Sequence, residues 1–314
     1  MTDTHHDADA HTLILVPLDG SPLAEQAIPY ASALAGAQGT LLFLQATSDT
    51  EPVYGFLGNI EATRDEVGAA YVEGARQELA AAQERWQQVT PTVETMVVSG
   101  DPADEILRVA GERKCSMIVM ASHGRGALGR WTFGSVADRV ARTSSVPVMI
   151  VRPQDAMPEI ALPVIRRVLV PLDGSKLSQE ALPVAGSIAS RLGISVLLVR
   201  VINVTQALAP YPSMAAAYPP EVYQQLEADM RTDAQNSLDP AAKTLTSQGV
   251  EVSTAVESGG AAHSIEDATE QGDIIVMTSH GRSGIRRWLL GSVAEQLVRH
   301  ATVPVILVRA ADES

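Results

Sequence analysis

One cysteine, three phenylalanines and an aromatic share of 4% are what this 314-residue sequence has least of. A lone Cys115 excludes an intramolecular disulfide and suits a reducing compartment, so a cytoplasmic location is expected. With aromatics so scarce, the core has to be built from Val, Leu, Ile, Ala and Met, which the 46% hydrophobic share supplies. Basic residues are short as well: 23 Lys and Arg face 37 Asp and Glu, for a net charge of −14. A phosphate-backbone footprint needs clustered cations, so nucleic acid is not an expected partner. A small anion stays possible, because backbone N–H groups and helix termini can hold it. No run approaches the ~18 uninterrupted apolar residues of a membrane span, so no membrane partner is expected either. Residues 1–11 (MTDTHHDADAH) lack the basic and apolar regions of a secretory signal. They read as a disordered polar tail, with His5, His6 and His11 solvated rather than holding a metal. No G-x-x-x-x-G-K-[ST] is present, which removes a P-loop.

What is there is written twice. LVPLDGSPLAEQAIPYASALA (15–35) matches LVPLDGSKLSQEALPVAGSIA (169–189). IVMASHGRGALGRWTFGSVADRVARTSSVPVMIVR (118–152) matches IVMTSHGRSGIRRWLLGSVAEQLVRHATVPVILVR (275–309). A period of about 155 residues is far beyond that of solenoids, so each copy should fold as a domain. The expected division is 1–11 tail, 12–152 first domain, 153–164 Pro-containing linker and 165–310 second domain. Within a copy, short β-branched and Leu runs alternate with helical stretches. TLILVPL, TLLFLQA, VETMVVS, SMIVMAS and VPVMIVR read as strands, apolar on both faces where the sheet is covered. The helix after the first strand should run through Ala35, bent near Pro29, as its counterpart should be near Pro183. DPADEILRVAGER carries an N-cap Asp101 and a Pro at the first helical position. The fold class is therefore α/β: two tandem five-stranded parallel-type sheets with helices on both faces. In such folds ligands sit outside the carboxyl ends of the strands, which puts Asp19 and the SHGR loop on one edge.

Ser122 to Ser135 reads SHG, nine residues, then GS, and Ser279 to Ser292 repeats the spacing. A Gly at a strand end lets backbone approach a ligand, and a Gly-Ser opening a helix presents N–H groups and a hydroxyl to an anion. Two such elements are a candidate phosphate clamp; a plain strand–loop–helix with glycine turns is the competing reading. GRGALG (124–129) matches a dinucleotide fingerprint but follows the wrong strand, and GRSGIR breaks it in the second copy. SGGAAHS (258–264) reads as a strand-to-helix turn, and Cys115 as a small core residue. Asp19 and Asp173 suit ligand anchors or N-caps better than catalytic acids, since no partner base is evident. His123 and His280 are either phosphate contacts or loop-packing side chains. Arg125, Arg130, Arg282 and Arg287 are the cationic candidates for a triphosphate.

PLDGS after the first strand, GDPADEI before the third helix, and IVMASHGR…GSVA…VPVMIVR resemble the universal stress protein family. The resemblance covers nearly the whole chain, twice. It implies an adenine-nucleotide α-hydrolase-like, Rossmann-like domain that binds ATP, ADP or AMP, with Mg²⁺ bridging phosphates and no catalytic residue. Carried over, its nucleotide-binding residues are Pro17, Asp19, Ala46, Ala121, His123, Gly124, Arg125, Gly134, Ser135 and Val136. In the second copy they are Pro171, Asp173, Val201, Thr278, His280, Gly281, Arg282, Gly291, Ser292 and Val293. Ala121 and Thr278 stand where the family pattern has its first Gly, and the branched Thr278 departs further. The resemblance further implies last strands pairing antiparallel in an intramolecular pseudo-dimer, with a further homodimer left open. The expected role is stress response or signalling; the alternatives are a slow ATPase or nucleotidyl-transfer enzyme, and a nucleotide-free interaction module.

Overall fold

The structure, a computed structural model, describes residues 12–47, 64–123, 133–154, 160–208, 219–279 and 290–309. The first repeat runs β1 (Leu13–Pro17), α1 (Pro22–Glu25), α2 (Ile28–Ala35), β2 (Thr40–Thr47), α3 (Arg64–Trp86), β3 (Thr92–Ser99), α4 (Pro102–Glu112), β4 (Met117–Ala121), α5 (Ser135–Thr143) and β5 (Val148–Val151). The second runs β6 (Arg167–Pro171), α6 (Lys176–Gln179), α7 (Leu182–Leu192), β7 (Ser195–Ile202), α8 (Val204–Leu208), α9 (Pro220–Ser247), β8 (Val252–Ser258), α10 (Ala261–Asp267), β9 (Asp273–Thr278), α11 (Ser292–His300) and β10 (Val305–Val308). Each repeat thus contributes five strands, in the alternating α/β order its sequence implies.

The chain gathers into two compact units, and the division falls inside α5 rather than at the linker. The first unit carries β1–β4, in the spatial order β3-β2-β1-β4, all parallel. Strands β1 and β4 are buried through their middles on Ile14, Leu15, Val16, Ile118 and Val119. They need both faces covered because neither face alternates with polar residues. Edge strand β3 is half exposed and carries Glu94, paired with Arg113 at 2.6 Å. Such charge blunts an open edge.

The second unit repeats this order as β8-β7-β6-β9-β10, parallel throughout, and then adds β5 of the first repeat. Strand β5 pairs antiparallel with β10 in the register Ile150↔Val305, Met149↔Ile306, Val148↔Leu307. The last strands of the two repeats do meet inside one chain. The flanking contacts are reciprocal: Arg152 donates to the His300 carbonyl at 2.9 Å, and Arg309 to the Thr143 carbonyl at 3.4 Å. Arg152 and Arg309 are equivalent in the two repeats, as are Thr143 and His300. Equivalent residues contacting each other's partners are the signature of a self-complementary interface.

One helix expectation is corrected. The stretch through Ala35 is two helices, not one bent helix, and the second repeat does the same with α6 and α7. Pro29 and Pro183 lie in the first turn of α2 and α7. There their missing N–H costs nothing, whereas inside a helix the ring would clash with the carbonyl four residues back, at Glu25 or Gln179. The chain therefore ends one helix at that residue and starts another. Asp101 caps α4 as its sequence indicates, accepting from the Ala103 and Asp104 N–H groups at 3.0 and 3.1 Å.

Candidate functional site

In the first repeat the chain builds outward from β1 in both directions, to β2 and β3 on one side and to β4 on the other. This is a topological switch point, where the loops following two neighbouring strands diverge and leave a crevice. Pro17 closes β1 and Ala121 closes β4, and the register Leu15↔Ile118 brings both ends to the same edge. Strands β6 and β9 make the same arrangement, with Pro171 and Thr278 at their ends.

After β1 the chain turns sharply at Asp19-Gly20-Ser21. The Asp19 carboxylate accepts from the Ser21 N–H at 3.0 Å and from the Ser21 hydroxyl at 2.6 Å. Ser21 in turn caps α1 by accepting from the Ala24 N–H at 3.2 Å. The N-cap is thus Ser21, and Asp19 holds the turn that aims it. The second repeat reproduces the device: Asp173 accepts from the Ser175 N–H at 2.9 Å and its hydroxyl at 2.6 Å, and Ser175 accepts from the Ser178 N–H at 3.1 Å. Gly20 and Gly174 have φ of 74° and 80°, a left-handed conformation that side-chain-bearing residues adopt at a cost. Sequence reasoning found both Asp residues and missed both Ser partners. The signal was present, since DGS occurs in each copy.

The SHG…GS segment is closed by its own backbone. The Gly134 N–H donates to the Ser122 carbonyl at 2.9 Å, and the Gly291 N–H donates to the Ser279 carbonyl at 2.8 Å. A Cβ on Gly134 would stand 3.0 Å from the Ser122 carbonyl oxygen, tighter than most side-chain contacts. Glycine suits this close approach between the two ends of the loop. Ser122 and Ser279 are buried, and the Ser122 hydroxyl lies 2.6 Å from His123 Nδ1. That bond orients the imidazole at the start of the loop. Ala121 and Thr278 are buried at the strand ends, so the missing-glycine positions fall in the core rather than on the loop surface.

Helices α5 and α11 start at Ser135 and Ser292, both exposed, with Val136 and Val293 half-buried behind them. Gly291 is the N-cap of α11 and makes no side-chain cap hydrogen bond to this nine-residue helix. Uncapped first-turn donors suit an anion. Ala46 and Val201 lie near the ends of β2 and β7, beside the Asp-Gly-Ser turns. The groups at the helix starts that could meet an anion are the exposed Ser135 and Ser292, since the Gly134 and Gly291 N–H groups are already engaged by the Ser122 and Ser279 carbonyls. Among the described residues, no group of three or more His, Cys, Asp or Glu is gathered to hold a metal. Gly124, Arg125, Arg130, His280, Gly281, Arg282 and Arg287 lie outside the described residues.

Cys115 is buried, and desolvation pushes its thiol above the ordinary 9.0, so it is not an activated nucleophile. Among the described residues, no helix is long and apolar enough to cross a membrane.

The family model described as universal stress protein matches residues 12–152 and again 165–309. A universal stress protein from Mycobacterium tuberculosis is 30% identical over 219 residues, spanning 69% of each chain. A shorter universal stress protein from Bacillus subtilis is 32% identical over 144 residues, which is 44% of this chain and 97% of its own. The crystal structure of a universal stress protein from Archaeoglobus fulgidus shares the fold, with a TM-score of 0.64 at 22% identity, covering 96% of this chain and 97% of the other.

Proposed function

This chain belongs to the universal stress protein family, and from that premise we propose that it binds an adenine nucleotide at the switch-point edge of one or both repeats. The ligand is ATP or its di- or monophosphate, with Mg²⁺ bridging phosphates where there are two or three. Its role is a ligand-dependent one in cytoplasmic stress response or signalling, not metabolic turnover.

One observation carries the reading. The Asp–Ser turn and the glycine-stapled loop recur at the same sheet edge in both repeats, with bond lengths agreeing within about 0.1 Å. The chemistry divides along each crevice. The carboxylate of Asp19 or Asp173 suits the amino edge of a base, and the stapled loop with the uncapped helix start suits phosphate oxygens. The hydroxyl that lies beside an imidazole, Ser122 against His123, is buried, and binding without chemistry is the simplest use of the described geometry.

The test is direct. Denaturing the purified full chain and identifying released nucleotides by chromatography, followed by ATP titration of ligand-free protein, should show an adenine nucleotide and saturable binding. No adenine nucleotide in either experiment would shift the reading to a nucleotide-free interaction module. Steady release of ADP and phosphate from bound ATP would shift it to an ATPase.

A further inference from the structure

In the first repeat the front of α5 is held at two points. One is the Gly134 N–H on the Ser122 carbonyl, at 2.9 Å. The other lies one turn on, where Arg139 donates from Nη1 to the Asp101 carboxylate at 3.0 Å and from Nη2 to the Asp104 carboxylate. Asp101 is the N-cap of α4 and Asp104 sits in its first turn, so the guanidinium ties α5 to the start of α4. Ser135 and Arg139 are four residues apart and share a face of α5. Whatever turns that face turns Ser135 with it. The division of the chain falls just after Val140, so the part of α5 that Arg139 holds is the part that belongs with β1–β4.

The second repeat keeps the backbone staple and replaces the tie. Gln296 stands in the place of Arg139, and Gly260 and His263 in those of Asp101 and Asp104. Its side chains pair along their own helices: His263 lies 3.3 Å from Asp267 on α10, and Arg299 lies 3.0 Å from Glu295 on α11. The larger Leu297, fully buried, takes the place of Val140 in the apolar seat of that helix. The Arg139 bridge is poorly suited to adding stability, because its three side chains are about half exposed and such pairs contribute little. It is well suited to setting direction. A helix held by one hydrogen bond can pivot, whereas two charge-assisted bonds from one planar guanidinium fix its orientation.

We propose that Arg139 is a positioning residue of the first site: its bridge to Asp101 and Asp104 sets the direction of α5, and so places Ser135 and the helix start against the phosphate end of the ligand. This rests on adenine-nucleotide binding as read above and adds what holds the phosphate-side helix of one repeat. The second repeat seats its helix by apolar packing instead.

Calorimetric titration of the full chain with ATP and, separately, with adenosine tests this. Arg139→Gln should weaken ATP binding at one class of site by about three- to fivefold and leave adenosine within about twofold. That loss alone would also follow from removing a positive charge near phosphates, so Asp104→Asn decides. Positioning requires it to weaken ATP binding in the same sense, whereas a pure charge effect requires tightening, since a carboxylate is lost. The double variant should bind ATP no more weakly than Arg139→Gln alone, because both changes break one bridge. If Asp104→Asn tightens ATP binding or leaves it unchanged, the assignment falls while nucleotide binding stands. Equal shifts for ATP and adenosine in either variant would likewise make the bridge a purely structural tie. If Arg139→Gln does not fold, Asp104→Asn decides by itself. If the unmodified chain binds no adenine nucleotide, the proposed function falls and takes this inference with it.

Discussion

The two repeats share a site geometry but anchor their scaffolds with different buried charges. In the first, Glu25 of α1 is 7% exposed and takes Arg85 of α3 on both carboxylate oxygens at 2.5 Å, with the Trp86 indole N–H at 2.9 Å. That cluster ties two helices. In the second, the place of Glu25 is taken by Gln179, and the buried pair joins two strands instead. Asp273 of β9 accepts from Arg167 of β6 at 3.1 and 2.6 Å, and is 3% exposed. The first repeat has Ser116 and Leu13 at those positions, linked by the Ser116 hydroxyl to the Leu13 carbonyl at 3.0 Å. The difference teaches that a buried ion pair can tie helix to helix in one repeat and strand to strand in the other. The crevice geometry, in contrast, is the same twice.

The sharpest way to break this comparison is to remove each anchor in turn. Truncating one partner of a buried ion pair costs about 3–5 kcal/mol, because the other charge is stranded. Asp273→Ala should lie at the upper end, since Arg167 has a side chain only 20% exposed and little freedom to reach water. Glu25→Ala should cost less, about 3 kcal/mol, because the Arg85 side chain is 39% exposed and can turn outward. Urea unfolding of both variants checks the order; a larger loss for Glu25→Ala would show that the helix tie matters more.

Next in size is the pairing of the last strands. Val148→Pro and Val305→Pro remove ladder donors between β5 and β10, costing about 1–3 kcal/mol each through stranded acceptors. Stability should fall in both while nucleotide stoichiometry stays unchanged. Loss of a nucleotide site in either variant would mean that the crevices depend on this pairing.

Gly134→Val probes the feature the repeats share. Its side chain meets the Ser122 carbonyl, and a strain of about 1–2 kcal/mol should weaken nucleotide binding at the first site about tenfold, leaving the second intact. Equal loss at both sites, by titration, would show the repeats to be coupled rather than parallel.

The smallest effect separates the repeats again. Cys115 occupies the place of Gly272, so only the first repeat carries a thiol there. Burial raises that thiol, so the neutral form stabilises the fold below the ordinary 9.0, and the contribution is lost as pH rises above it. Cys115→Ala should flatten the alkaline fall in stability by a few tenths to about 1 kcal/mol between pH 8 and pH 10. Parallel pH curves for the variant and the unmodified chain would remove the thiol from the account.

Much of this was legible beforehand. The apolar runs, the Asp101 cap and the two copies of VPV-type last strands mark elements whose observed bounds lie within a residue or two of those read. The break at Pro29 was not legible, because Ala27, Ala31 and Leu34 keep one apolar face across it; burial periodicity does not register a helix that stops and restarts in phase. The staple between Gly134 and Ser122 was also hidden. It depends on how a loop closes, and a spacing shows only that the closure is possible.

By itself, then, the sequence determined the repeat and the parallel α/β class, which follow from local patterns, because period-2 and helical periodicities record which face each element buries. The antiparallel pairing of the final strands was what the family resemblance implied. Only the tertiary structure decided which charges meet. Glu25 and Arg85 are 60 residues apart, Arg167 and Asp273 are 106 apart, and Arg200 reaches a turn on the neighbouring strand's loop. Such partners are chosen by desolvation and reach within the packed layers. Those quantities exist only once the helices are seated on the sheet.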